Sequence, residues 1–455
     1  MASLAVLLKN KGHRITGSDQ NIYPPMSTFL EENGIAVMPG FKAENLVPHP
    51  DVVIIGNALS RGNAEVEYAL TNHLNYQSMA EVLKNEFIRG RTSVVITGTH
   101  GKTTTTSLVS HLLDYCGLDP GFMIGGIPGN FDTSARDTDS GKYFVVEGDE
   151  YDSGFFDKRS KFFHYLPDRL VINNIEFDHA DIFSSLDEIK KAFTLMLRQI
   201  PEDGLILVNG DDSDAMEVAK KGFSPVISFG IGEECDYRIR EITQTAGKLQ
   251  TRFQLWHKGE KDDYTIPLLG EFNTRNATAA ILIAIHEGVP PEKIKEALLG
   301  FKNTKRRLQP VNHSGSTIHL FDDFAHHPTA IEETIRALRS SWPQAKIHAV
   351  YQARSNTSVR NYFQDRMHTA FRDADNIIFY KLHREESIPV EQRLNIDSIV
   401  EKLEEEGKTA HHLKEIDLIV DSLDRETQSG DIVVFLSQGD FGGVQLKVAE
   451  RLKQK

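Results

Sequence analysis

A glycine, lysine and threonine run near residue 100 could bind the phosphates of a nucleotide. Gly98 and Gly101 are followed by Lys102 and Thr103, after a β-branched apolar run and before a stretch of helical periodicity. Backbone N–H groups at a helix start bind phosphate oxygens, while a lysine reaches the outer phosphates and a hydroxyl faces the accompanying Mg²⁺. The run therefore predicts a strand, a phosphate-binding loop and a helix.

The spacing of this loop departs from the general phosphate-loop pattern. Two residues separate the glycines where the pattern has four, and Ile96 stands where the earlier glycine belongs. An ordinary strand-to-helix turn would explain the two glycines, but not the lysine and threonine after them. We therefore favour a nucleotide site with a shortened loop, made of Gly98, Thr99, His100, Gly101, Lys102, Thr103 and Thr104.

Acidic residues follow two predicted strands further along the chain. An apolar strand at residues 143–147 runs into the four carboxylates of Glu147, Asp149, Glu150 and Asp152. Such a density costs electrostatic repulsion unless cations share it, so Mg²⁺ binding and a solvated acidic loop are the two explanations. After the strand at residues 170–173, Asp178 and His179 either contact a second cation or cap the following helix.

Two further clusters of charged or titratable residues lie in the last third of the chain. Lys305, Arg306 and Arg307 offer fixed positive charge suited to a γ-phosphate. A later strand ends in Asp322 and Asp323, followed by His326 and His327. A zinc site needs histidines one helical turn apart and a third ligand, which adjacent histidines before a proline do not supply. We therefore expect nucleotide or substrate contact there.

Composition limits the class of protein. The 455 residues exceed one ordinary core and favour three domains of about 150 residues. The net charge of −14 argues against a nucleic-acid-binding surface. The two cysteines suit a reducing compartment, and no apolar run reaches membrane-spanning length or resembles a signal peptide. These features predict a cytoplasmic protein without membrane insertion.

Apolar runs alternate with amphipathic helical segments, which predicts an α/β fold with parallel sheets. We divide the chain into domains at residues 1–90, 91–309 and 310–455. Strands are expected at 14–16, 52–55, 143–147, 170–173, 205–209, 347–351, 376–380 and 432–436, with a β-rich stretch at 237–267. Helices are expected at 273–286, 292–299 and 329–340.

The first domain starts in an unusual way. Residues 1–9 already form an amphipathic helix, so the strand and glycine-rich turn that open a dinucleotide-type domain are expected to be missing. The next strand ends at Ser18 and Asp19. Asp19 is either the acidic residue that holds a ribose hydroxyl or an ordinary turn residue.

The motifs resemble, in order and spacing, those of the Mur ligases, the ATP-dependent amide-bond-forming enzymes of peptidoglycan synthesis. The matching segments are 97–106, 147–152, 174–181, 270–276, 306–307 and 322–328. The resemblance implies three domains: a Rossmann-like N-terminal domain lacking its first strand, a central P-loop ATPase-type domain with a parallel sheet, and a Rossmann-like C-terminal domain.

The pattern of two aspartates and two histidines before Pro328 resembles the branch that acts on UDP-N-acetylmuramate. Segments 23–28, 54–58, 155–161 and 354–357 resemble members that join the murein tripeptide L-alanyl-γ-D-glutamyl-meso-diaminopimelate to that sugar nucleotide. The implied reaction proceeds through an acyl phosphate. A UDP-N-acetylmuramate:L-alanine ligase, and a nucleotide-binding protein made inactive by the missing N-terminal strand, are the alternatives.

The resemblance also implies roles for single residues. For the phosphates, the resemblance implies Lys102 at the β- and γ-phosphates and Arg307 at the γ-phosphate. For the metal ions, it implies Thr103 and Glu147 at one Mg²⁺ and His179 at a second. Asn276 is expected to face adenine, and Asp323 the ribose or the metal shell. In the substrate set are Ser18, Asp19, Asn57, His326 on the muramate side, and Arg354, which either pairs a substrate carboxylate or forms a surface ion pair. Phe193 stands where some Mur ligases carry a carbamoylated lysine, so we expect no carbamate.

Overall fold

The computed structural model describes residues 1–22, 26–138, 141–311 and 316–454. Residues 23–25, part of the segment 23–28 noted above, lie outside the described residues. The chain forms two compact units. The first contains Met1–Phe177, Ser185–Asp236 and Ala279–Ala297, and the second contains Asp178–Ser184, Tyr237–Thr278 and Leu298–Lys455.

The first unit alternates strands and helices. Its strands are β1 (Thr16–Asp19), β2 (Ala36–Pro39), β3 (Val53–Ile55), β4 (Tyr76–Ser78), β5 (Thr92–Thr97), β6 (Gly121–Met123), β7 (Ala135–Arg136), β8 (Tyr143–Glu147), β9 (Asp152–Gly154), β10 (Asp157–Ser160), β11 (Arg169–Ile172), β12 (Leu205–Asn209) and β13 (Val226–Gly230). Its helices are α1 (Ala2–Asn10), α2 (Met26–Glu32), α3 (Ala64–Thr71), α4 (Met79–Leu83), α5 (Lys102–Tyr115), α6 (Leu186–Leu197) and α7 (Ser213–Ala219). Two further helices, α8 (Glu271–His286) and α9 (Pro291–Leu299), contain residues of both units.

Seven strands of this unit lie side by side in the order β13, β12, β11, β5, β8, β6, β7, and all neighbours are parallel except β6 and β7. Strand β5 lies in the interior, and its residues Val94, Val95 and Ile96 are fully buried. A β-branched run suits a strand covered on both faces, as parallel sheets require. The parallel sheet expected around the phosphate loop is thus confirmed.

The first ninety residues form two small parallel pairs, β1 with β2 and β3 with β4. Helix α1 lies where residues 1–9 predicted it, and its Val6 packs with Leu30 and Ile35. The strand expected at residues 14–16 instead starts at Thr16 and includes the predicted turn up to Asp19. Strands β2 and β4 were not expected, because runs of three or four half-buried residues carry little periodicity.

The second unit contains the remaining elements. Its strands are β14 (Tyr237–Gln244), β15 (Thr251–His257), β16 (Glu260–Ile266), β17 (Gln309–Pro310), β18 (His319–Asp323), β19 (Ile347–Tyr351), β20 (Asn376–Tyr380), β21 (Thr409–Leu413) and β22 (Ile432–Leu436). Its helices are α10 (Pro328–Ser341), α11 (Gln364–Met367), α12 (Ile396–Glu405), α13 (Ile416–Glu426) and α14 (Val444–Arg451). Among the described helices, none has the length and apolar character needed to cross a membrane.

Strands β14, β15 and β16 form the antiparallel ladder expected for the β-rich stretch. The other strands form a six-stranded sheet in the order β17, β18, β22, β19, β20, β21, parallel except at β17. Helices α10 and α12 pack on one face of this sheet, and α13 and α14 pack on the other. The connections after the neighbouring strands β18 and β22 therefore lead to opposite faces. Such a point opens a crevice at the carboxyl ends of parallel strands, where ligands bind.

Candidate functional site

The phosphate loop has the shape that its glycines require. Gly98 has a φ of 126°, and a Cβ atom there would lie 2.9 Å from the backbone nitrogen of Asn174. Gly101 has a φ of 81° and occupies the capping position of α5. Both positions disfavour an L side chain. The loop thus delivers Lys102 and Thr103 to the first turn of α5, where N–H groups point away from the helix.

Asn174 fastens this loop to the chain that follows β11. The side-chain oxygen of Asn174 accepts a hydrogen bond from the His100 N–H at 2.7 Å, and its backbone oxygen accepts from the Thr99 N–H at 3.2 Å. The Thr99 hydroxyl also accepts from the Glu176 N–H at 2.8 Å. The sequence placed Asn174 in a family motif without a role, and the structure assigns it the positioning of the loop.

Lys102 lies in a strongly negative environment. Its ammonium donates to the Gly98 carbonyl oxygen at 2.6 Å and to Glu150 Oε2 at 2.8 Å. Burial is the largest influence on the pKa of Lys102 and favours the neutral amine, but the carboxylates of Glu150, Asp149 and Glu147 outweigh it and raise the pKa above its ordinary value. Lys102 therefore stays charged.

The acidic run after β8 is neutralised mainly by lysines of the chain. Glu150 pairs with Lys102, Asp149 with Lys161 at 2.7 Å, and Asp152 with Lys158 at 2.6 Å. These pairings explain most of the carboxylate density without a metal ion. Sequence alone could not reveal them, because one lysine lies on the following hairpin, one directly after it, and one in the phosphate loop.

Glu147 differs from its acidic neighbours. Its Oε1 accepts a hydrogen bond from the Gly125 N–H at 2.6 Å, and its Oε2 accepts from the Thr103 hydroxyl at 3.1 Å. A hydroxyl and a carboxylate oxygen at this spacing, next to a phosphate loop, are the hard ligands that Mg²⁺ prefers. The pair Thr103 and Glu147 therefore fits the cation predicted there.

Two other predicted positions in this unit are buried. Thr104 lies behind the loop on α5 and is largely inaccessible. Phe193 lies on α6, where it packs against Phe162 with ring centroids 5.1 Å apart. The position that would hold a carbamoylated lysine is thus part of the hydrophobic core.

One of the predicted sugar-nucleotide residues, Ser18, contacts a buried carboxylate that the sequence did not single out. Ser18 donates to Glu65 Oε2 at 2.5 Å, and Glu65 also accepts from the Asn45 amide at 2.6 Å. Asp19 accepts from the Asn21 N–H at 3.0 Å, the geometry of a turn. Asn57 lies half-buried in the turn after β3. Glu65 therefore fixes the end of β1 to the start of α3.

In the second unit, Asp178 and His326 form a buried pair. His326 Nε2 lies 3.9 Å from Asp178 Oδ2 and 2.8 Å from the side-chain nitrogen of Gln438. Burial would raise the pKa of Asp178, but His326 and the neighbouring histidines, His179 and His327, hold that pKa well below its ordinary range. The carboxylate therefore stays ionised, and the His326 ring is oriented by its hydrogen bonds to Gln438 and to the Phe324 carbonyl oxygen.

His179 has a left-handed backbone with a φ of 56°. Its N–H donates to Asp178 Oδ1 at 2.7 Å, and its carbonyl oxygen accepts from Ile182 and Phe183. The alternative in which Asp178 or His179 caps the following helix is wrong, because Ser185 caps α6. The segment is held in place by Thr357, whose hydroxyl accepts from the Ala180 N–H at 3.1 Å.

The two arginines of the basic cluster have different surroundings. Arg306 pairs with Asp322 at 3.0 Å and donates to the carbonyl oxygens of three consecutive residues, Ser437, Gln438 and Gly439. The expectation of phosphate contact therefore fails for Arg306, whose guanidinium is used to hold this loop. Arg307 stacks over the Phe324 ring, with its Cζ 4.9 Å from the centroid.

Asp323 and Asn276 lie deeply buried. Asp323 accepts from the Leu308 N–H at 2.6 Å and from the Ala325 N–H at 2.7 Å, and burial raises its pKa despite these bonds and nearby Arg307. Asn276, on α8, donates to Asn273 Oδ1 at 3.1 Å. Asp323 thus holds together the turns that carry Arg307 and His326.

His327 has a structural role that the sequence did not reveal. Its side chain accepts from the Thr329 N–H at 3.3 Å and caps α10, while Pro328 occupies the first helical turn. Contact with nucleotide or substrate stays a prediction for both histidines, and His327 in addition begins the helix. A histidine cap is unusual, which explains why the pattern did not indicate one.

A cavity of about 290 Å³ opens at the carboxyl ends of β19 and β20. Its lining includes Arg354, the residue predicted to pair a substrate carboxylate, together with Lys381, His383 and Arg384. Arg354 lies 3.3 Å from Asp440 Oδ1, and that carboxylate is 84% exposed. The predicted surface ion pair is present, and it leaves Arg354 at the wall of a cavity that Glu385 and Glu386 also line.

Three family models match the chain. Residues 96–284 match the Mur ligase middle domain, residues 1–90 the Mur ligase family catalytic domain, and residues 306–439 the Mur ligase glutamate ligase domain. Together with the full-length relatives below, these matches show that the chain belongs to the Mur ligase family, as the motifs indicated. It is an ATP-dependent ligase.

Among its relatives is a UDP-N-acetylmuramate--L-alanyl-gamma-D-glutamyl-meso-2,6-diaminoheptandioate ligase from Haemophilus influenzae. It is 40% identical over all of this chain and 97% of its own length. A UDP-N-acetylmuramate--L-alanine ligase from Geobacter is 31% identical over all of the chain and 95% of its own length. The structure also resembles a murein peptide ligase from Psychrobacter arcticus, with a TM-score of 0.71, 32% identity, and coverage of 100% of this chain and 97% of that one.

Proposed function

We propose that this protein joins L-alanyl-γ-D-glutamyl-meso-diaminopimelate to UDP-N-acetylmuramate at the expense of ATP, in the recycling of peptidoglycan. The observation that carries the proposal is the full-length identity of 40% to a ligase named for that reaction. The alanine-specific relative is more distant, at 31%. This difference favours the tripeptide over alanine as the amine substrate. The phosphate loop holds a charged lysine next to a carboxylate that could bind Mg²⁺. This arrangement favours an active ligase over a protein that only binds nucleotide.

The proposed reaction has two steps. An oxygen of the muramate carboxylate attacks the γ-phosphorus of ATP, ADP leaves, and an acyl phosphate forms. The amine of the tripeptide then attacks the acyl carbon, phosphate leaves, and the nitrogen loses a proton. Chemistry of this kind depends on positioning and charge neutralisation more than on covalent help from the protein.

The charges near the phosphate loop suit the first step. Lys102 is a permanent cation in the first turn of α5, and we assign it to the β- and γ-phosphates. In the second unit we assign Arg307 to the γ-phosphate and His326 to the muramate side. The two hydrogen bonds of the His326 ring hold it in one orientation, as a substrate contact requires.

The donor set supports one Mg²⁺ in the proposal. Thr103 and Glu147 would hold it, and the ion would neutralise charge on the phosphates. We assign His179 to a second ion. Adenine is assigned to Asn276, and the ribose or metal shell to Asp323. Ser18, Asp19 and Asn57 are assigned to the sugar nucleotide.

We retain the division at residues 1–90, 91–309 and 310–455 for the proposed sugar-nucleotide, ATP and amine domains. Its boundaries lie close to those of the three family matches. Because both UDP-N-acetylmuramate and ATP are cytoplasmic compounds, we place the reaction in the cytoplasm.

Phosphate release tests the proposal. The protein is incubated with ATP, Mg²⁺ and UDP-N-acetylmuramate, and then with either the tripeptide or alanine. We expect stoichiometric phosphate release and a new amide product with the tripeptide. A preference for alanine would identify the alanine ligase instead, and ATP binding without release in the presence of any amine would indicate a protein that does not ligate.

A further inference from the structure

The carboxylate of Glu65 joins three segments of the first unit at the carboxyl ends of its first strands. Its Oε2 atom accepts a hydrogen bond from the Ser18 hydroxyl at 2.5 Å. Its Oε1 atom accepts from the Lys42 N–H at 3.2 Å and from the Asn45 amide at 2.6 Å. Ser18 lies near the end of β1, the other two donors follow β2, and Glu65 lies in the first turn of α3, after β3. Ligands of α/β folds bind outside the carboxyl ends of parallel strands, so these contacts lie where a ligand is expected.

Neutral groups make all of these contacts with Glu65. The side chain is buried, at 8% exposure, and its partners are a hydroxyl, a backbone N–H and an amide. The start of α3 favours a negative charge in its first turn, because the N–H groups there point towards it. Asn63 caps this helix and accepts from the Glu65 N–H at 3.0 Å. The helix start therefore fixes where the carboxylate lies.

This pairing determines the hydrogen-bond polarity of Ser18. A hydroxyl has one hydrogen to donate and two lone pairs with which to accept, whereas an ionised carboxylate only accepts. The hydroxyl hydrogen of Ser18 is held by Glu65 in a short, charge-assisted contact. Only the lone pairs remain for a ligand, and Ser18 is partly exposed, as contact with a ligand requires. A ligand group at Ser18 must therefore carry an O–H or an N–H.

Phosphate groups do not meet this requirement. Their oxygens are negatively charged and only accept hydrogen bonds. Asp19, next in the chain and exposed, adds a second carboxylate at the end of β1, and like charges repel. In the proposed reaction the muramate carboxylate has to reach the phosphate loop, and the nucleoside is the opposite end of that substrate. The neutral hydroxyl and N–H groups of the nucleoside therefore suit the position of Ser18.

We infer that Glu65 is a positioning residue of the sugar-nucleotide site, which makes Ser18 the acceptor for a hydroxyl or N–H of the nucleoside. Glu65 acts through Ser18 and makes no contact of its own with the ligand. This inference rests on the proposed function, because UDP-N-acetylmuramate is the nucleotide assigned to Ser18. It goes further by naming the half of the nucleotide that Ser18 contacts and the residue that selects it.

A double-mutant cycle tests whether Glu65 acts through Ser18. The variants are S18A, E65Q, the two combined, and the control E32Q, at an exposed position of α2 in the same unit. E65Q keeps one acceptor oxygen but can place an N–H group opposite Ser18, which reverses the polarity of the hydroxyl. The measurements are kcat, the KM values for UDP-N-acetylmuramate and ATP, and the melting temperature, which reports whether each variant is folded.

A series of inhibitors identifies the donor on the nucleoside. UDP is compared with 2′-deoxy-UDP, 3′-deoxy-UDP and N3-methyl-UDP, each of which lacks one hydroxyl or N–H donor. Their inhibition constants against UDP-N-acetylmuramate are measured at saturating ATP in the unaltered protein and in S18A. The donor that Ser18 receives is missing from one analogue, and that analogue should bind S18A as well as it binds the unaltered protein.

We expect S18A and E65Q each to raise the KM for UDP-N-acetylmuramate by about tenfold, the upper value of one hydrogen bond, with kcat and the KM for ATP unchanged. The double variant should show about the same tenfold rise, because the two residues act as one unit. S18A should weaken inhibition by UDP and by two of the analogues, and leave the third unchanged. E32Q should behave as the unaltered protein does.

A rise of about a hundredfold in the double variant would overturn the inference, since Glu65 would then act independently of Ser18. Unchanged KM values, or equal sensitivity of UDP and all three analogues to S18A, would also overturn it. If E65Q does not fold, the inhibitor series on S18A decides alone. If the unaltered protein does not ligate the tripeptide, the proposed function fails separately. Calorimetric titration with UDP and the analogues at saturating ADP then decides the inference: weaker binding by S18A of all but one analogue supports it, and any other result overturns it.

Discussion

The ammonium of Lys102 lies 2.8 Å from Glu150 Oε2, and both side chains are largely buried, at 15% and 4% exposure. Glu150 therefore occupies the partner position that the phosphates of a nucleotide would take on Lys102. A buried pair of this kind is strongly destabilised when one partner is removed, because the other charge is left without compensation. Nucleotide binding and folding should thus be coupled at this pair.

The variant E150Q tests that coupling. Without nucleotide, we expect it to lose roughly 3–5 kcal/mol of stability, since the buried Lys102 loses the carboxylate to which it is directly hydrogen-bonded. ATP should restore much of the loss, because its phosphates replace the missing carboxylate. The measurement is the melting temperature with and without ATP, and the increase should be larger in E150Q than in the unaltered protein. The control E292Q breaks an exposed pair with Lys295 and should show the same ATP-induced rise in melting temperature as the unaltered protein. Equal rises in E150Q and the unaltered protein would contradict the prediction.

Glu147 and Thr103 should determine the Mg²⁺ requirement. Replacing the carboxylate in E147Q removes a charged ligand, so the Mg²⁺ concentration for half-maximal turnover should rise by about tenfold or more. T103S keeps the hydroxyl and should behave normally, whereas T103V should resemble E147Q. The assay is phosphate release across a Mg²⁺ titration at saturating ATP, and an unchanged midpoint in E147Q would place the metal elsewhere. E404Q, at an exposed helix end, is the control.

Neighbouring arginines should give opposite results when each is replaced by alanine. R306A removes the contacts with Asp322 and three carbonyl oxygens, so we expect a loss of about 2 kcal/mol in unfolding free energy. R307A should cost less stability than R306A and reduce kcat by about a hundredfold, the usual effect of losing one group that stabilises transition-state charge. Denaturant unfolding and steady-state kinetics on both variants separate the two roles. The assignment fails if R307A unfolds as easily as R306A while its kcat is retained.

Asp178 should make stability depend on pH in the acid range. Its pKa is lowered in the folded protein, so it contributes stability above the unfolded-state pKa of about 4, and the contribution decreases as pH falls below that value. The variant D178N should therefore be less stable than the unaltered protein near neutrality, with a difference that narrows below about pH 4. Urea unfolding at several pH values measures it. A difference independent of pH would show that the charge of Asp178 does not contribute.

The long buried strands were predicted from the sequence. Strands β8, β12, β19, β20 and β22 have the predicted bounds, because runs of apolar residues covered on both faces leave little doubt about where they begin and end. The short strands β2 and β4 escaped prediction, and β1 lies two residues later than expected. Their stability comes from pairing and from Glu65, which no local pattern reveals.

The conformation of the phosphate loop was also predictable, because the loop is contiguous and its two glycines are needed at backbone angles that disfavour other residues. The use of isolated polar residues was not predictable. Arg306 and Arg307 are the same residue type, as are His326 and His327, so the sequence cannot distinguish the members of each pair. In the structure Arg306 holds a loop and His327 starts a helix. Which neighbour is used depends on partners far away in sequence, such as Gln438 and the loop around it.

The hydrogen bonds of Asn174 to the phosphate loop have a kinetic consequence. Because Thr99 and His100 are already tied to the chain after β11, the loop has little conformational entropy left to lose when a ligand arrives. Association with ATP should then proceed at a rate limited by encounter and charge, with no slow folding of the loop, and the release of ADP should govern how long the site stays occupied.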